Sequence, residues 1–128
     1  MQRSLDTNVI ARAVLNDDPV QSPIARRLLA EPAIVLPGVL MEAYWLLSLP
    51  HRLSRPGAIA ALSSLLDLPT LTVPDREAVL FALERAAAGA DFADMLHLAL
   101  SGGADMFSTF DQGIAAHAEG APVPVETL

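Results

Sequence analysis

Apolar and polar positions along the 128 residues follow two rhythms. Short apolar runs bounded by Pro, Gly or charged residues predict strands at 3–5 (RSL), 33–36 (AIVL), 70–73 (TLTV), 106–109 (MFST) and 123–125 (VPV). Between them the apolar residues return every three or four positions, which predicts helices over 8–16, 21–31, 39–49, 56–67, 75–88 and 92–102, with a short one near 112–118. Pro19, Pro23, Pro56 and Pro74 stand at or just before helix starts, where a fixed φ is tolerated and no N–H is missed. Short apolar strands alternating with helices predict an α/β fold whose mainly parallel sheet is covered on both faces. No linker, repeat or break in composition interrupts the pattern, so residues 1–128 are read as one domain. A chain of this length can bury roughly two-thirds of its unfolded surface in a single core.

Composition sharpens this picture at two points. Hydrophobic residues make up 52% of the chain and the mean hydropathy is +0.41, yet no apolar run approaches the ~20 residues of a membrane span. The segment MQRSLDTNVIARAV meets Arg3 and Asp6 before any long apolar stretch, unlike a secretory leader. With no cysteine for disulfides or thiolate metal sites, a cytoplasmic location is expected. The apolar surplus predicts an exposed patch covered by a protein partner or a second copy of the chain.

Charge excludes one class and leaves another open. The net charge is −7 and all 8 basic residues are arginine. Gripping a polyanion through phosphate neutralisation is therefore disfavoured. A site holding divalent cations must itself be acidic, and the cation then faces the phosphate.

Four acids stand out by position. In open α/β sheets ligands bind beyond the carboxyl ends of the strands. Asp6 directly follows the first strand, Glu42 is expected in the first turn of the helix after the second, Asp94 in the first turn of the apolar helix at 92–102, and Asp111 follows the strand at 106–109. Carboxylates gathered at one edge would raise one another's pKa unless a cation sat among them. Oxygen ligands without cysteine suit Mg²⁺ or Mn²⁺.

Each acid also has a purely structural reading. Asp94 can be the third-residue acid of a capping box begun by Asp91, and Asp6 and Asp111 can cap the helices that follow them. Asp17 and Asp18 before Pro19 read as turn chemistry. Glu42 resists such a reading, because it interrupts the apolar run VLPGVLMEAYWLLSL, where a buried charge is costly unless paired or coordinated. Met41, Tyr44 and Trp45 read as core or interface packing. His97, three positions after Asp94, is left unassigned, and His51 and His117 carry no pattern.

Taken together, LDTNVIARAVLNDDP, VLMEAYWLL, ADFADMLHLALSGGAD and FSTFDQGI resemble, in this order and over nearly the whole chain, a PIN-domain protein, specifically a VapC-type toxin of a bacterial toxin–antitoxin module. The resemblance implies a PIN-like three-layer α/β/α sandwich. It places the family's acids at Asp6, Glu42, Asp94 and Asp111, as metal ligands and catalytic residues. Asn8 matches the polar residue of the opening motif, Thr109 the hydroxyl before the last acid, and Asp91 a supporting group or simply the helix cap.

The implied activity is metal-dependent endoribonuclease cleavage, with Mg²⁺ or Mn²⁺ as cofactor and water as nucleophile, leaving a 5′-phosphate and a 3′-hydroxyl. The implied partners are the RNA substrate, a cognate antitoxin whose tail carries a basic side chain towards the acids, and a second copy of the chain as homodimer. Arg12 and Arg52 are candidate RNA contacts, and the acidic chain better suits a structured RNA with unstacked loop bases. The competing non-enzyme reading is a PIN-like binding module whose acids persist only as caps. A phosphoacceptor receiver domain is excluded by the missing lysine, and neither a phosphate-cradling loop nor a G-x-S-x-G elbow is present.

Overall fold

A computed structural model describes all residues, 1–128. It divides into two compact units, Met1–Pro74 and Asp75–Leu128.

In the first unit the order is β1 (Arg3–Ser4), α1 (Thr7–Leu15), α2 (Gln21–Leu29), β2 (Ala33–Ile34), α3 (Pro37–Leu47), α4 (Arg55–Leu66) and β3 (Leu71–Thr72). The strands pair in the order β1-β2-β3, both pairings parallel, with Arg3 opposite Ala33 and Ala33 opposite Leu71. Helix α1 packs on α2 and α3, and α3 on α4. Ile10, Val35, Leu40, Leu47 and Leu62 are fully enclosed in this unit. Helix ends follow the local sequence. Asn16 closes α1 in the left-handed conformation that Asn tolerates, its N–H reaching the carbonyl of Arg12 at 3.0 Å. Asp18 starts α2 by accepting from the N–H groups of Val20 and Gln21, at 2.9 and 2.7 Å, and these bonds hold its carboxyl below the usual range.

The second unit runs α5 (Arg76–Ala87), α6 (Phe92–Ala99), β4 (Phe107–Thr109), a 3₁₀ turn (Ala115–His117) and β5 (Val125–Thr127). Strands β4 and β5 are parallel, with Phe107 opposite Val125. Helices α5 and α6 pack on each other, and Val79, Leu83, Phe92, Leu96 and Leu98 along them are buried. Their connection is a Schellman turn: Gly89 N–H bonds the carbonyl of Ala86 and Ala90 N–H that of Arg85, each at 3.0 Å. Gly89 adopts φ +106°, where a side chain is strained even though nothing blocks it in space.

The α/β class and the parallel pairing agree with the sequence reading, and every expected strand and helix exists within a few residues of its predicted bounds. The strands, each two or three residues long, fall into two sheets of 3 and 2 strands, one in each unit. No helix is long and apolar enough to cross a membrane.

Candidate active site

The expected acids fall into two groups, one in each unit. In the first unit a cleft of about 560 Å³ is lined by Asp6, Thr7, Asn8, Met41, Glu42, Trp45 and Leu46. Asp6 caps α1: Oδ1 accepts from Thr7 N–H at 2.7 Å. Asp6 and Asn8 are exposed, and Asp6 Oδ2 has no partner within the protein.

Glu42 departs from expectation twice. It lies in the second turn of α3 rather than the first, because the helix begins at Pro37. It is also exposed, not buried. Helix α3 turns Leu40, Ala43, Tyr44 and Leu47 inward and carries Glu42 on its outer side, so the carboxylate needs no ion pair to offset desolvation, and none reaches it. Of the neighbours read as packing residues, Tyr44 is buried, Met41 half-buried and Trp45 51% exposed.

In the second unit a smaller cleft of about 150 Å³ brings together Asp91, Asp94, Asp111 and His117 over the apolar floor of Met95 and Ile114. Asp91 is the N-cap of α6, its Oδ1 accepting from Asp94 N–H at 2.9 Å. Asp111 accepts from Gly113 N–H at 2.7 Å, while its own N–H is held by Thr109 Oγ1 at 3.0 Å. Thr109 therefore orients the backbone that carries Asp111. Both aspartates use Oδ1 for these bonds and leave Oδ2 without a protein partner, so capping and ligation are compatible.

Asp94 differs from the others. It is half-buried, accepts no hydrogen bond and has no ion pair. Burial pushes its carboxyl above the usual value, Asp91 and then Asp111 push it further, and His97 opposes them weakly. Neither Lys nor Arg lines the cleft. Carboxylate oxygens are the donor type that hard divalent metals prefer. No group of three or more His, Asp or Glu side chains is close enough to enclose an ion.

His117, set aside in the sequence, lines this cleft, whereas His97 is exposed on α6. Its placement depends on Arg85, whose Nε–H donates to the His117 carbonyl at 3.1 Å and whose Nη2 donates to that of Glu119. Nothing in the local sequence signals this, since the partner lies 32 residues away. Arg12 is engaged by Asp17 at 3.1 Å and Gln21 at 3.0 Å, and Arg52 donates to the carbonyl of Leu46 at 2.9 Å.

Comparison with known proteins places these clefts in context. The family model described as PIN domain matches residues 4–120. Among solved structures, the crystal structure of Mycobacterium tuberculosis VapC20, described as a Sarcin-Ricin loop cleaving toxin, aligns with 94% of this chain and 96% of its own at 20% identity and a TM-score of 0.45. At that level the likeness says nothing about the activity of this chain. No curated protein sequence matches it.

Proposed function

The chain belongs to the PIN domain family, and on that premise we propose that it is a VapC-type endoribonuclease toxin that hydrolyses RNA phosphodiester bonds with Mg²⁺ or Mn²⁺ and is held inactive by a cognate antitoxin. The observation that carries the reading is Asp94: a half-buried carboxyl in the cleft with Asp91 and Asp111, raised first by burial and then by those two acids, with neither Lys nor Arg lining the cleft.

In this reading Asp6, Glu42, Asp94 and Asp111 are the metal ligands. Asp91 and Thr109 position them, the first by fixing the start of α6 and the second by holding the N–H of Asp111. Asn8, exposed beside Asp6, is a hydrogen-bonding group for the substrate. A divalent cation supplies two things when bound, a lowered pKa for water and compensation of phosphate charge. The carboxylates hold that charge in place and keep the attacking water oriented. Water adds to phosphorus as the bond to the 3′ oxygen breaks, so the products are a 5′-phosphate and a 3′-hydroxyl, with a proton passed to the leaving oxygen.

Val20, Ile24, Leu36 and Leu49, all exposed, supply apolar surface for the antitoxin and for a homodimer. A basic antitoxin side chain placed among the acids would compete with the metal. A cytoplasmic location goes with this reading, as RNA and antitoxin are met there.

The competing binding-module reading draws on the capping bonds of Asp6 and Asp91, on the loop turn held by Asp111, whose bond to Gly113 caps no helix, and on the absence of a three-carboxylate cluster. One experiment separates the two. Purified antitoxin-free protein is incubated with total RNA in Mg²⁺ or Mn²⁺, in EDTA, and as Asp94→Asn. Discrete metal-dependent fragments that the variant does not produce are expected; a folded, metal-binding protein that cuts no RNA supports the binding module instead.

A further inference from the structure

Trp45 is the only tryptophan of the chain and stands half out of α3. The inward face of that helix is complete without it, formed by Leu40, Ala43, Tyr44 and Leu47. The indole instead walls the cleft that holds Asp6 and Glu42.

The other aromatic side chains show how unusual this is. Tyr44 and Phe92 are buried and Phe81 and Phe107 half-buried, which leaves Trp45 and Phe110 as the exposed rings, Phe110 at 80%. Of the two, Trp45 lines a cleft with acids assigned above, Asp6 and Glu42, whereas Phe110 precedes Asp111 in the chain without lining its cleft.

Charge explains why a nucleic-acid enzyme of this composition needs such groups. The chain carries −7 and no lysine. Its arginines are largely engaged by their own chain: Arg3 with Glu31, Arg12 with Asp17, Arg26 with the carbonyl of Ala13, Arg52 with that of Leu46, Arg55 with the Tyr44 hydroxyl, and Arg85 with the backbone carbonyls of His117 and Glu119. Phosphate neutralisation, the usual source of affinity, is therefore weak. Stacking of unpaired bases on aromatic faces needs no cation and tolerates any base.

We propose that Trp45 is a stacking platform for an unpaired nucleobase of single-stranded RNA, binding it beside the proposed metal ligands Asp6 and Glu42. The inference rests on the nuclease reading and goes beyond it in naming what holds the substrate.

The lone tryptophan makes the test direct. Asp94→Asn protein with Mg²⁺ is titrated with a single-stranded oligoribonucleotide of mixed sequence, and separately with the same strand annealed to its complement. Trp45 emission is followed beside the anisotropy of a labelled strand. Saturable quenching by the single strand, in step with the anisotropy, is expected, with little effect from the duplex. On that background Trp45→Ala should bind roughly tenfold more weakly and Trp45→Phe should retain most of the affinity. In otherwise wild-type protein Trp45→Ala should raise KM and leave kcat near its original value.

Binding seen by anisotropy with unchanged emission, or undiminished affinity in Trp45→Ala, would overturn the stacking role and leave the nuclease reading intact. Emission that shifts with protein concentration and not with RNA would also overturn it, placing Trp45 at a protein–protein face. Wild-type protein that neither binds nor cuts RNA removes the nuclease reading and the inference with it.

Discussion

Asp91 and Asp94 sit three positions apart at the start of one helix and do opposite things to it. Asp91 stabilises α6 by taking the Asp94 N–H, a cap whose loss in Asp91→Ala costs about 1 kcal/mol. Asp94 burdens the fold, since its charged form is disfavoured by burial and by two neighbouring acids. A carboxyl whose folded pKa is raised binds more protons in the folded state than in the unfolded one. Its penalty is absent below the ordinary value of 3.8, grows as pH rises from there through the raised folded value, and is complete at neutral pH. Asp94→Asn in EDTA at pH 7 should accordingly melt at or above the wild-type temperature, and with Mg²⁺ it should lose cleavage; calorimetry beside an RNA assay checks both. A clear drop in melting temperature would mean that Asp94 serves the fold. At this scale the sequence disclosed the caps, because Asp before a helix has one dominant use. It misplaced Glu42, because a helix apolar on nearly every side gives no periodic signal of which face is buried, and only packing decides that Leu40, Ala43, Tyr44 and Leu47 go in.

At the scale of elements, the helices were legible because proline and glycine mark their ends and the apolar period runs between them. The segment from Asp111 to Gly120 was legible only as a short helical turn near 112–118; the contacts that hold it come from α5. Arg85 lies over the Phe81 ring at 4.4 Å, pairs with Glu84, and ties down the carbonyls of His117 and Glu119. Gly120 accepts this clasp at φ +82°, and a Cβ there would come within 3.3 Å of the guanidinium. Removing the clasp frees the wall of the Asp111 cleft. Arg85→Ala should cost about 1–3 kcal/mol in urea denaturation, and Arg85→Lys should recover only part of it, as one ammonium cannot reproduce a planar fork. Wild-type stability in Arg85→Ala would show that the segment holds itself.

For the molecule as a whole, the combination of acidity and engaged arginines predicts how RNA affinity responds to salt. Each phosphate contact on a single strand contributes a slope of about −0.7 in log K against log salt, and a chain with few available cations should show a slope no steeper than about −2. A steep slope measured by anisotropy across a salt series would point to arginines released from their intramolecular partners on binding. The same scale gives the two-residue strands β1, β2 and β3 a meaning beyond topology. A chain of mean hydropathy +0.41 is at risk of clumping through any long unpaired strand that can template another. The outer strands here, Arg3–Ser4 and Leu71–Thr72, offer foreign chains almost no ladder to extend, and Pro74 lies two residues beyond the second. Such stunted borders let the protein keep apolar side chains on its surface without inviting its own unfolded copies to stack on it.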